Sequence, residues 1–382
     1  MTTEAPFSAT MMITGELMLC MPDPMESFFG PAKKALHSAD VVFAHLETMH
    51  TRRPVPAWEQ RLPAPDPDQL SCVQAANYGV LSLAGNPAYG YGPAGIEDTS
   101  AWLREHGIET VGAGLDIDEA RLPAIVERNG AKFGFLARDC IGVKANAASK
   151  SKAGTAYVDI LTHFEQVRWP GEPPAIYTWA EPFSLQAMCE DIARLRAQCD
   201  VLTVALHMGL RRDPVGLADY ETQVSHAAID AGADVVVGYH AHSVKGIAFY
   251  KGKPVFHCMG NMVTAYPWES HRRYRQTEPD TLTLSRLREH AGAGRAQIDP
   301  EYPTYPFEAH SRNAIIAKFD VRDRRVASIR VLPCIINKQG QPEVCGHDAG
   351  GEQVLEHLRK VTEGAGLNAK FEWSGDEIEV AV

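Results

Sequence analysis

The sequence predicts a layered α/β protein, because short apolar runs alternate with amphipathic stretches over the first two-thirds of its 382 residues. Several apolar runs are rich in β-branched residues and are followed directly by Gly, Asn or His. Polar residues therefore gather where strands end, which is the edge where open α/β sheets bind ligands. The predicted strands are Thr10–Thr14, Val41–Ala44, Val80–Leu83, Thr110–Val111, Phe133–Ala137, Val201–Leu206 and Val235–Gly238.

Amphipathic stretches between these strands predict helices, since their apolar residues recur at helical spacing and Pro or Gly marks several ends. A Gly between two lysines predicts a hairpin turn at 251–253. The predicted helices are Ala94–Glu105, Leu185–Gln198, Leu217–Ala231 and Glu352–Val361. The predicted antiparallel pairs are Val244–Tyr250 with Pro254–Cys258, and Asn313–Phe319 with Val326–Leu332.

Composition limits the classes of partner. The formal net charge of −11 disfavours nucleic acid and an anionic membrane surface. The eight cysteines are scattered without a CxxC pair, and no apolar stretch reaches 18 residues. We therefore expect a cytoplasmic protein with a small-molecule substrate, no nucleic acid and no membrane partner, and with a homo-oligomer left open.

The strongest candidate motif is GYHAH at residues 238–242, where an apolar strand runs into a glycine and two histidines. His240 and His242 are two residues apart, so in an extended segment both imidazoles lie on one side and can bind one ion. A single histidine at a strand end is more often a hydrogen-bonded structural residue. The pair favours metal ligation by His240 and His242.

His207 repeats this arrangement, because it follows the apolar run Val201–Leu206 and is followed closely by Gly209. Three histidines at two strand ends suit Zn²⁺, Mn²⁺ or Fe²⁺ better than Ca²⁺. The alternative is a packed histidine that ends the strand.

Two carboxylates also follow predicted strands. Glu16 comes after Thr10–Thr14, and Glu47 comes after Val41–Ala44. Each taken alone is equally consistent with a surface acid. Beside the histidines they would complete a mixed nitrogen and oxygen donor set for one or two ions, and such a centre lowers the pKa of bound water from about 15.7 to near 7.

Two asparagines follow glycines at similar places. Asn86 lies in LAGNP at 83–87, and Asn261 lies in MGN at 259–261. A neutral amide can ligate a hard metal or hold its water, and it can also form a simple Asx turn.

The order of these motifs resembles a known family. The matching segments are ITGELML (13–19), ADVVFAHLET (39–48), LSLAGNPAYGYGPAGIEDT (81–99), GIETVGAGLDIDEA (107–120), LTVALHMG (202–209), AIDAGADVVVGYHAH (228–242) and YKGKPVFHCMGNMV (250–263). The chain resembles the CapA/PgsA family of capsule and poly-γ-glutamate synthesis proteins, which are similar in fold to calcineurin-like metallophosphoesterases.

The resemblance implies a metallophosphoesterase-like, CapA-type β-sandwich flanked by helices. Residues 1–335 would form a metal-dependent catalytic domain, and residues 336–382 a C-terminal extension of helix and strand packed on it. Three segments that break the α/β rhythm, near 50–70, 140–183 and 265–312, would be long loop insertions.

Three positions depart from the family pattern. Glu16 stands where members usually have Asp, His45 where they have Asn, and Asn86-Pro87 where they have an Asn-His pair. Related phosphoesterases use that lost histidine beside the leaving group, whereas His45 adds a ligand or an acid. These departures favour a reaction other than phosphoester hydrolysis at a metal centre of the same fold.

The leading hypothesis is a metal-dependent hydrolase of a small carboxylated amide or ester. A lyase fits the same residues, and a non-catalytic component of poly-γ-glutamate or capsule synthesis is the second class. We expect one or two ions of Zn, Mn or Fe, held by Glu16, His45, Glu47, Asn86, His207, His240 and His242. The predicted catalytic residues are His45, Glu16 and Arg138. The predicted substrate-binding residues are Arg138, Arg211, Arg212 and Asn261, whose arginines would pair with a carboxylate or, alternatively, form surface salt bridges.

Overall fold

Two stacked β-sheets with helices on their outer faces form the protein, as shown by a computed structural model that describes residues 8–20, 28–55, 64–166, 169, 173–211, 213–265, 299–302 and 305–382. The strands in these ranges are β1 (Ser8–Leu19), β2 (Val41–Leu46), β3 (Val80–Ser82), β4 (Glu109–Val111), β5 (Ala113–Gly114), β6 (Ala124–Arg128), β7 (Ala131–Asp139), β8 (Gly154–Thr155), β9 (Ile160–Glu165), β10 (Ala175–Ala180), β11 (Val201–Met208), β12 (Val235–His240), β13 (Ile247–Tyr250), β14 (Lys253–Phe256), β15 (Asn261–Ala265), β16 (Asn313–Arg322), β17 (Arg325–Ile336), β18 (Pro342–Val344), β19 (Lys370–Ser374) and β20 (Glu377–Ala381).

Helices connect many of these strands, most of them starting after a Pro or a capping acid. The α-helices are α1 (Lys33–Leu36), α2 (Ser71–Ala75), α3 (Pro93–Glu105), α4 (Ile117–Ala120), α5 (Pro182–Arg196), α6 (Asp219–Asp230) and α7 (Ala349–Gly364). Short 3₁₀ turns lie at Gly30–Ala32, Pro67–Leu70, Lys144–Asn146 and Ala309–Arg312. In α5 the Glu181 carboxylate accepts from the first free backbone N–H groups, and Asp348 does the same for α7.

The larger sheet has the order β19-β20-β17-β16-β1-β2-β3-β4 within the described residues, with β15 also on β1 and β18 on β17. Strands β1 to β4 run parallel, whereas β16 and β17 join antiparallel. The second sheet has the order β13-β14-β12-β11-β7-β6, with a parallel centre of β7, β11, β12 and β14. The carboxyl ends of the parallel strands in each sheet therefore lie at one edge.

The main core lies between the two sheets. Alternate residues of each central strand point inward, so that Ile13 and Phe43 of the larger sheet pack with Phe133 and Phe135 of the other. The rings of Phe43 and Phe135 stack with centroids 5.0 Å apart. Two further apolar clusters cover the outer faces, beneath α3 on one side and beneath α5 and α6 on the other. This is the layered α/β sandwich that the sequence predicts.

The predicted elements are present with small changes in their bounds. All seven predicted strands form, as do the four helices, the hairpin β13–β14 and the pair β16–β17. The segment 140–183 is not a plain loop, because it contains β8 and the hairpin β9–β10. Much of the other two segments that we expected to be loops lies outside the described residues, at 56–63 and 266–298.

Residues beyond 336 extend the larger sheet. Strand β20 pairs with β17 and with β19, while α7 places Val354 and Leu358 in the core between the sheets. No helix among the described residues is long and apolar enough to cross a membrane.

A β-bulge in β1 decides where Glu16 points. Ile13 pairs with Phe43, whereas Glu16 pairs with His45, so β1 holds one residue more than β2 between these pairs. Gly15 lies in the bulge, and a Cβ built on it would be 2.4 Å from the backbone oxygen of Gly260. Only glycine lets β1 approach this chain segment so closely.

We expect Gly15→Ala to lower the free energy of unfolding by about 1–3 kcal/mol, because the methyl group would push β1 away from Gly260. Chemical denaturation followed by circular dichroism would measure the change. Gly79→Ala is the matched control, since nothing lies within 4 Å of a Cβ there. Equal stability of the two variants would contradict the close approach at Gly15.

Candidate metal centre

The polar side chains of the candidate centre come from the carboxyl ends of parallel strands. In β2, alternate side chains point toward the other sheet: first Val41, then Phe43, then His45. In β11, His207 is likewise the last side chain that points toward the other sheet. Both imidazoles are buried. The alternation that builds the core therefore also carries these two side chains into the space between the sheets.

Two groups of three donors form there and share one carboxylate. Glu47 belongs with His45 and His207 in the first group, and with Glu16 and His242 in the second. Within each group the donor atoms lie within 4.8 Å of one another. The structure thus brings together five of the seven predicted ligands in the two groups.

Glu47 turns a different oxygen toward each group. Its Oε2 lies 3.1 Å from His45 Nε2 and 3.9 Å from His207 Nε2. Its Oε1 lies 3.8 Å from His242 Nε2. A carboxylate in this position can bridge two ions, one on each side.

Glu16 is the third donor of the second group, with Glu47 and His242. Its carboxylate forms an ion pair with Nδ1 of His242 and accepts a hydrogen bond from the backbone N–H of His240. Glu16 lies inside β1 and not after it, because the bulge extends the strand past the expected end.

Asn86 lies beside the first group. Its Oδ1 is 2.8 Å from His207 Nε2 and 3.2 Å from His240 Nδ1. The preceding Gly85 has no room for a side chain, since a Cβ would lie 2.7 Å from His45 Nε2. Glycine at position 85 is therefore required by close packing on His45, and Asn86 contacts His207 and His240.

The predicted pairing of His240 with His242 requires a correction. His240 belongs to neither three-donor group, but its Nδ1 lies 3.2 Å from the Asn86 Oδ1 beside the first group, so metal ligation by His240 stays a prediction. The backbone has φ of 90° at His240 and 56° at His242, so this segment is not extended and the two imidazoles do not converge as a same-side pair. Their ring centroids are 6.3 Å apart. The ring of His240 instead lies edge-on to His207, with centroids 5.1 Å apart.

The two carboxylates differ in their electrostatics. Burial acts to raise the pKa of Glu16, but the charge and hydrogen bond of His242 outweigh it and lower that pKa to about 2. Burial raises the pKa of Glu47 to about 8, and the nearby charge of Glu16 adds to the increase. Glu16 is therefore ionised and paired with the charge of His242, whereas Glu47 favours its protonated form at neutral pH. A cation bound beside Glu47 would take the place of that proton.

Three of the imidazoles are held neutral. Burial lowers the pKa of His45 to about 4 and that of His240 to about 3, and it lowers the pKa of His207 well below its usual value. Neutral imidazole is the form that ligates metals. His242 differs, because the charge of Glu16 raises its pKa against the effect of burial.

The donor set fits a divalent transition metal. It combines neutral imidazoles with carboxylates, which suits Zn, Mn or Fe. The residues present are therefore chemically suited to one ion in each group.

Arg138 requires a second correction, because it does not reach this centre. Its side chain points to the outer face of β7, where the buried guanidinium forms an ion pair with Asp191 of α5. Arg121 binds the same carboxylate through two contacts of 2.7 and 2.8 Å. Arg138 is thus a structural residue and neither a catalytic nor a substrate-binding one.

The next residue, Asp139, occupies the place that we had predicted for Arg138. It continues the inward series of β7 and is fully buried, with the backbone N–H groups of Ile141 and Gly142 donating to its carboxylate. Burial raises its pKa despite those hydrogen bonds, and its charge acts on His45. Sequence reasoning missed Asp139, although the period-two alternation of the strand indicates it.

Arg211 lies at the exposed side of the centre. Its guanidinium is 5.5 Å from the ring centroid of Phe307, which in turn stacks on His242 with centroids 4.3 Å apart. The charge of Arg211 acts on Glu47, His240 and His242. Among the described residues no carboxylate forms an ion pair with Arg211. Arg212 lies outside the described residues.

The loop that carries Arg211 is anchored by buried side chains. The Tyr220 hydroxyl accepts from the N–H of Gly209, and Glu221 accepts from the N–H of Ala218. The buried Lys245 donates to the Gly216 carbonyl at 2.7 Å. These three contacts hold both ends of the loop.

Asn261 does not face a substrate. It is fully buried, its Oδ1 lies 3.0 Å from His242 Nδ1, and its amide donates to the His242 carbonyl and the Tyr305 hydroxyl. Its role is to orient His242, which corrects the substrate-binding prediction.

The sequence comparison decides the family. Residues 10–266, which contain every donor of both groups, match the bacterial capsule synthesis protein family PGA_cap. The chain belongs to this family. The match confirms the resemblance to the capsule and poly-γ-glutamate synthesis proteins.

Curated relatives share only part of their length with this chain. It is 25% identical over 236 residues to the PGA biosynthesis protein CapA of Bacillus subtilis, covering 61% of this chain and 53% of that protein. It is 28% identical over 204 residues to a probable polyglutamine synthesis accessory protein of Mycobacterium tuberculosis, covering 52% of this chain and 49% of that protein. The chain thus spans about half the length of the curated relatives it matches.

Similarity to solved structures is low. A phosphatase from Mycoplasma pneumoniae aligns with a TM-score of 0.47 at 11% identity, covering 87% of this chain and 95% of that one. The calcineurin-like phosphoesterase YfkN of Bacillus subtilis aligns with a TM-score of 0.39 at 11% identity, covering 94% of this chain and 98% of that one. Family membership therefore depends on the sequence match.

The reassignment of Arg138 predicts a stability effect. We expect Asp191→Ala to destabilise the protein by about 3–5 kcal/mol, because it leaves the Arg138 guanidinium buried without a counter-charge. Arg194→Ala is the matched control, since Arg194 contacts the same carboxylate but is 61% exposed, and it should cost less than about 1 kcal/mol. Denaturant unfolding would compare them, and an Asp191→Ala protein as stable as the control would refute the assignment.

Proposed function

We propose that the protein is a metal-dependent hydrolase whose substrate is a small carboxylated molecule with an amide or ester bond. The observation that carries the proposal is the sharing of Glu47 between two donor groups in one buried site. Family membership alone does not specify the reaction, since the relatives are described by their part in capsule or polymer synthesis.

The residues that would hold the ions follow from the two groups. His45, His207 and the Oε2 atom of Glu47 would hold one ion, with Asn86 beside it. Glu16, His242 and the Oε1 atom of Glu47 would hold the second. Bound ions would supply Lewis-acid activation of water and of the substrate oxygen.

Other residues of the chain have separate roles in this proposal. We assign His45 as a ligand and not as a general acid, because it is buried and faces Glu47. His240 is partly exposed and held by Asn86, so it can donate or accept a hydrogen bond with the substrate. Asn261 keeps the His242 ring in place.

Arg211 supports a substrate that carries a carboxylate. Its guanidinium lies over Phe307 at the open side of the centre and has no ion-pair partner among the described residues. An arginine fork binds carboxylates through two parallel hydrogen bonds.

We place this activity in the cytoplasm. All eight cysteines are free thiols, and four of them are buried. Unpaired cysteines at this number are typical of proteins in a reducing compartment.

The metal content of variants tests the donor groups. We expect the wild-type protein to retain up to two ions per chain, Glu47→Ala to retain none, and Glu16→Ala to retain one, because only Glu47 serves both groups. Mass spectrometry of the metal after gel filtration would measure the ratio. His226→Ala, which removes a histidine stacked on Tyr250 outside the site, should keep the full content. A wild-type protein that holds no metal after loading with Zn²⁺ or Mn²⁺ would contradict the proposal.

The role of Arg211 predicts a loss of substrate preference. We expect Arg211→Ala to raise KM for N-acyl amino acids about tenfold or more, since a charge-assisted hydrogen bond contributes about 1.5–3 kcal/mol. The matching methyl esters, which lack the carboxylate charge, should be little affected. Arg53→Ala removes a surface arginine paired with Glu97 and Asp98 and serves as the control. An unchanged ratio between the acids and their esters would exclude carboxylate recognition by Arg211.

A lyase would use the same residues, and isotope labelling separates it from a hydrolase. A hydrolase places one oxygen atom of ¹⁸O-labelled water in the product, whereas a lyase places none and leaves a new double bond. The second class, a non-catalytic component of poly-γ-glutamate or capsule synthesis, is favoured by the names of the relatives. Binding of long polyglutamate with no turnover of small amides or esters would support that class.

A further inference from the structure

The hairpin β9–β10 and its ends carry six of the 13 large apolar side chains that are exposed among the described residues. Its two strands pair only with each other and join neither main sheet. The exposed fractions of six large apolar side chains on it and at its ends lie between 40% and 82%: Phe164, Trp169, Ile176, Tyr177, Trp179 and Phe183. An isolated two-stranded hairpin is marginally stable in water, so this one needs additional contacts.

One edge of the hairpin is already covered. The backbone N–H of Thr178 donates to Asp219, and that of Ala180 donates to Gln223. Both acceptors belong to α6. The outer edge of β10 is thus closed by helix side chains, whereas no described strand pairs with the outer edge of β9.

The pairing register shows which groups this open edge presents. The backbone N–H groups of Thr178 and Ala180 point away from β9. Thr162 pairs with Thr178, and Ile160 pairs with Ala180. In an antiparallel pair the two facing residues direct their N–H groups either both toward the partner strand or both away from it, so those of Thr162 and Ile160 point away from β10. Phe164 follows in the same alternation. Strand β9 contains neither Lys nor Pro, the residues that usually protect an edge strand from pairing.

We propose that β9 pairs antiparallel with β9 of a second copy of this chain, so that the two hairpins form one four-stranded sheet. The twofold axis passes beside Thr162, which faces the same residue of the other copy. Ile160 of each copy then lies opposite Phe164 of the other. Thr–Thr and aliphatic–aromatic pairs are favourable cross-strand combinations, and a twofold interface uses one self-complementary patch.

The area of such an interface comes from the backbone edge of β9 and from the side chains on that strand. Phe164 is 63% exposed, and a large aromatic side chain presents about 150–250 Å². A standard protein interface buries about 800 Å² on each partner. We therefore expect this smaller interface to give a dimer whose population depends on protein concentration.

Cysteine cross-linking tests the register directly. In a hydrogen-bonded antiparallel pair the facing Cα atoms are about 5.5 Å apart, which lies in the range of a disulfide. We expect Thr162→Cys to give a disulfide-linked dimer on mild oxidation, seen on a non-reducing gel. His163→Cys is the control, because its Cα atoms would lie beyond the roughly 7 Å that a disulfide spans. The wild-type protein controls for the eight native cysteines.

Proline substitution tests the dimer without disturbing the hairpin. The N–H of Thr162 points outward, so Thr162→Pro removes a hydrogen bond to the second copy and none to β10. Sedimentation should show a dimer for the wild type and for Thr162→Val, and a monomer for Thr162→Pro with an unchanged far-ultraviolet circular dichroism spectrum. A wild-type protein that sediments as a monomer at micromolar concentrations would overturn the proposal. Cross-linking of His163→Cys as efficient as that of Thr162→Cys would also overturn it.

Discussion

The arrangement of the candidate centre depends on the burial of the Glu47 carboxylate between histidines of both sheets. A buried carboxylate is costly unless hydrogen bonds or opposite charges compensate it. Here the compensation is incomplete, because burial and the charge of Glu16 raise the pKa of Glu47 to about 8. The fold tolerates this cost because the inward residues of the central strands bury a continuous apolar core directly beneath it. A cation between the two sheets would remove the cost, so metal binding and the stability of this edge are coupled.

Glycines lie near the candidate ligands because the backbone there passes very close to neighbouring groups. Gly85 lies against His45 and His207, and Gly15 lies against the backbone of Gly260. At neither position can a side chain be accommodated without moving a donor or the strand that carries one. Close backbone approach therefore sets the spacing of the donors, and the bulge in β1 sets the direction of Glu16.

Sequence patterns predicted the layers and most donors because both depend on local rules. Alternating apolar runs identify the strands, and polar residues at the ends of parallel strands must meet at one edge. The errors arose where geometry departs from an ideal strand. The choice of Arg138 over Asp139 ignored the alternation of β7, which places Asp139 inward and Arg138 outward. The pairing of His240 with His242 assumed an extended chain, whereas both residues have positive φ.

Other features could not be predicted because they involve distant segments. The stacking of Phe307 on His242 and the hydrogen bond between Tyr305 and Asn261 join residues more than 40 positions apart. Both aromatic residues lie beyond residue 266, where the family match ends. The part of the chain within the family match supplies the donors, while the part outside it covers the second donor group and places a ring beneath Arg211. The donors and Arg211 thus lie within the family match, whereas the aromatic residues that contact His242, Asn261 and Arg211 lie outside it.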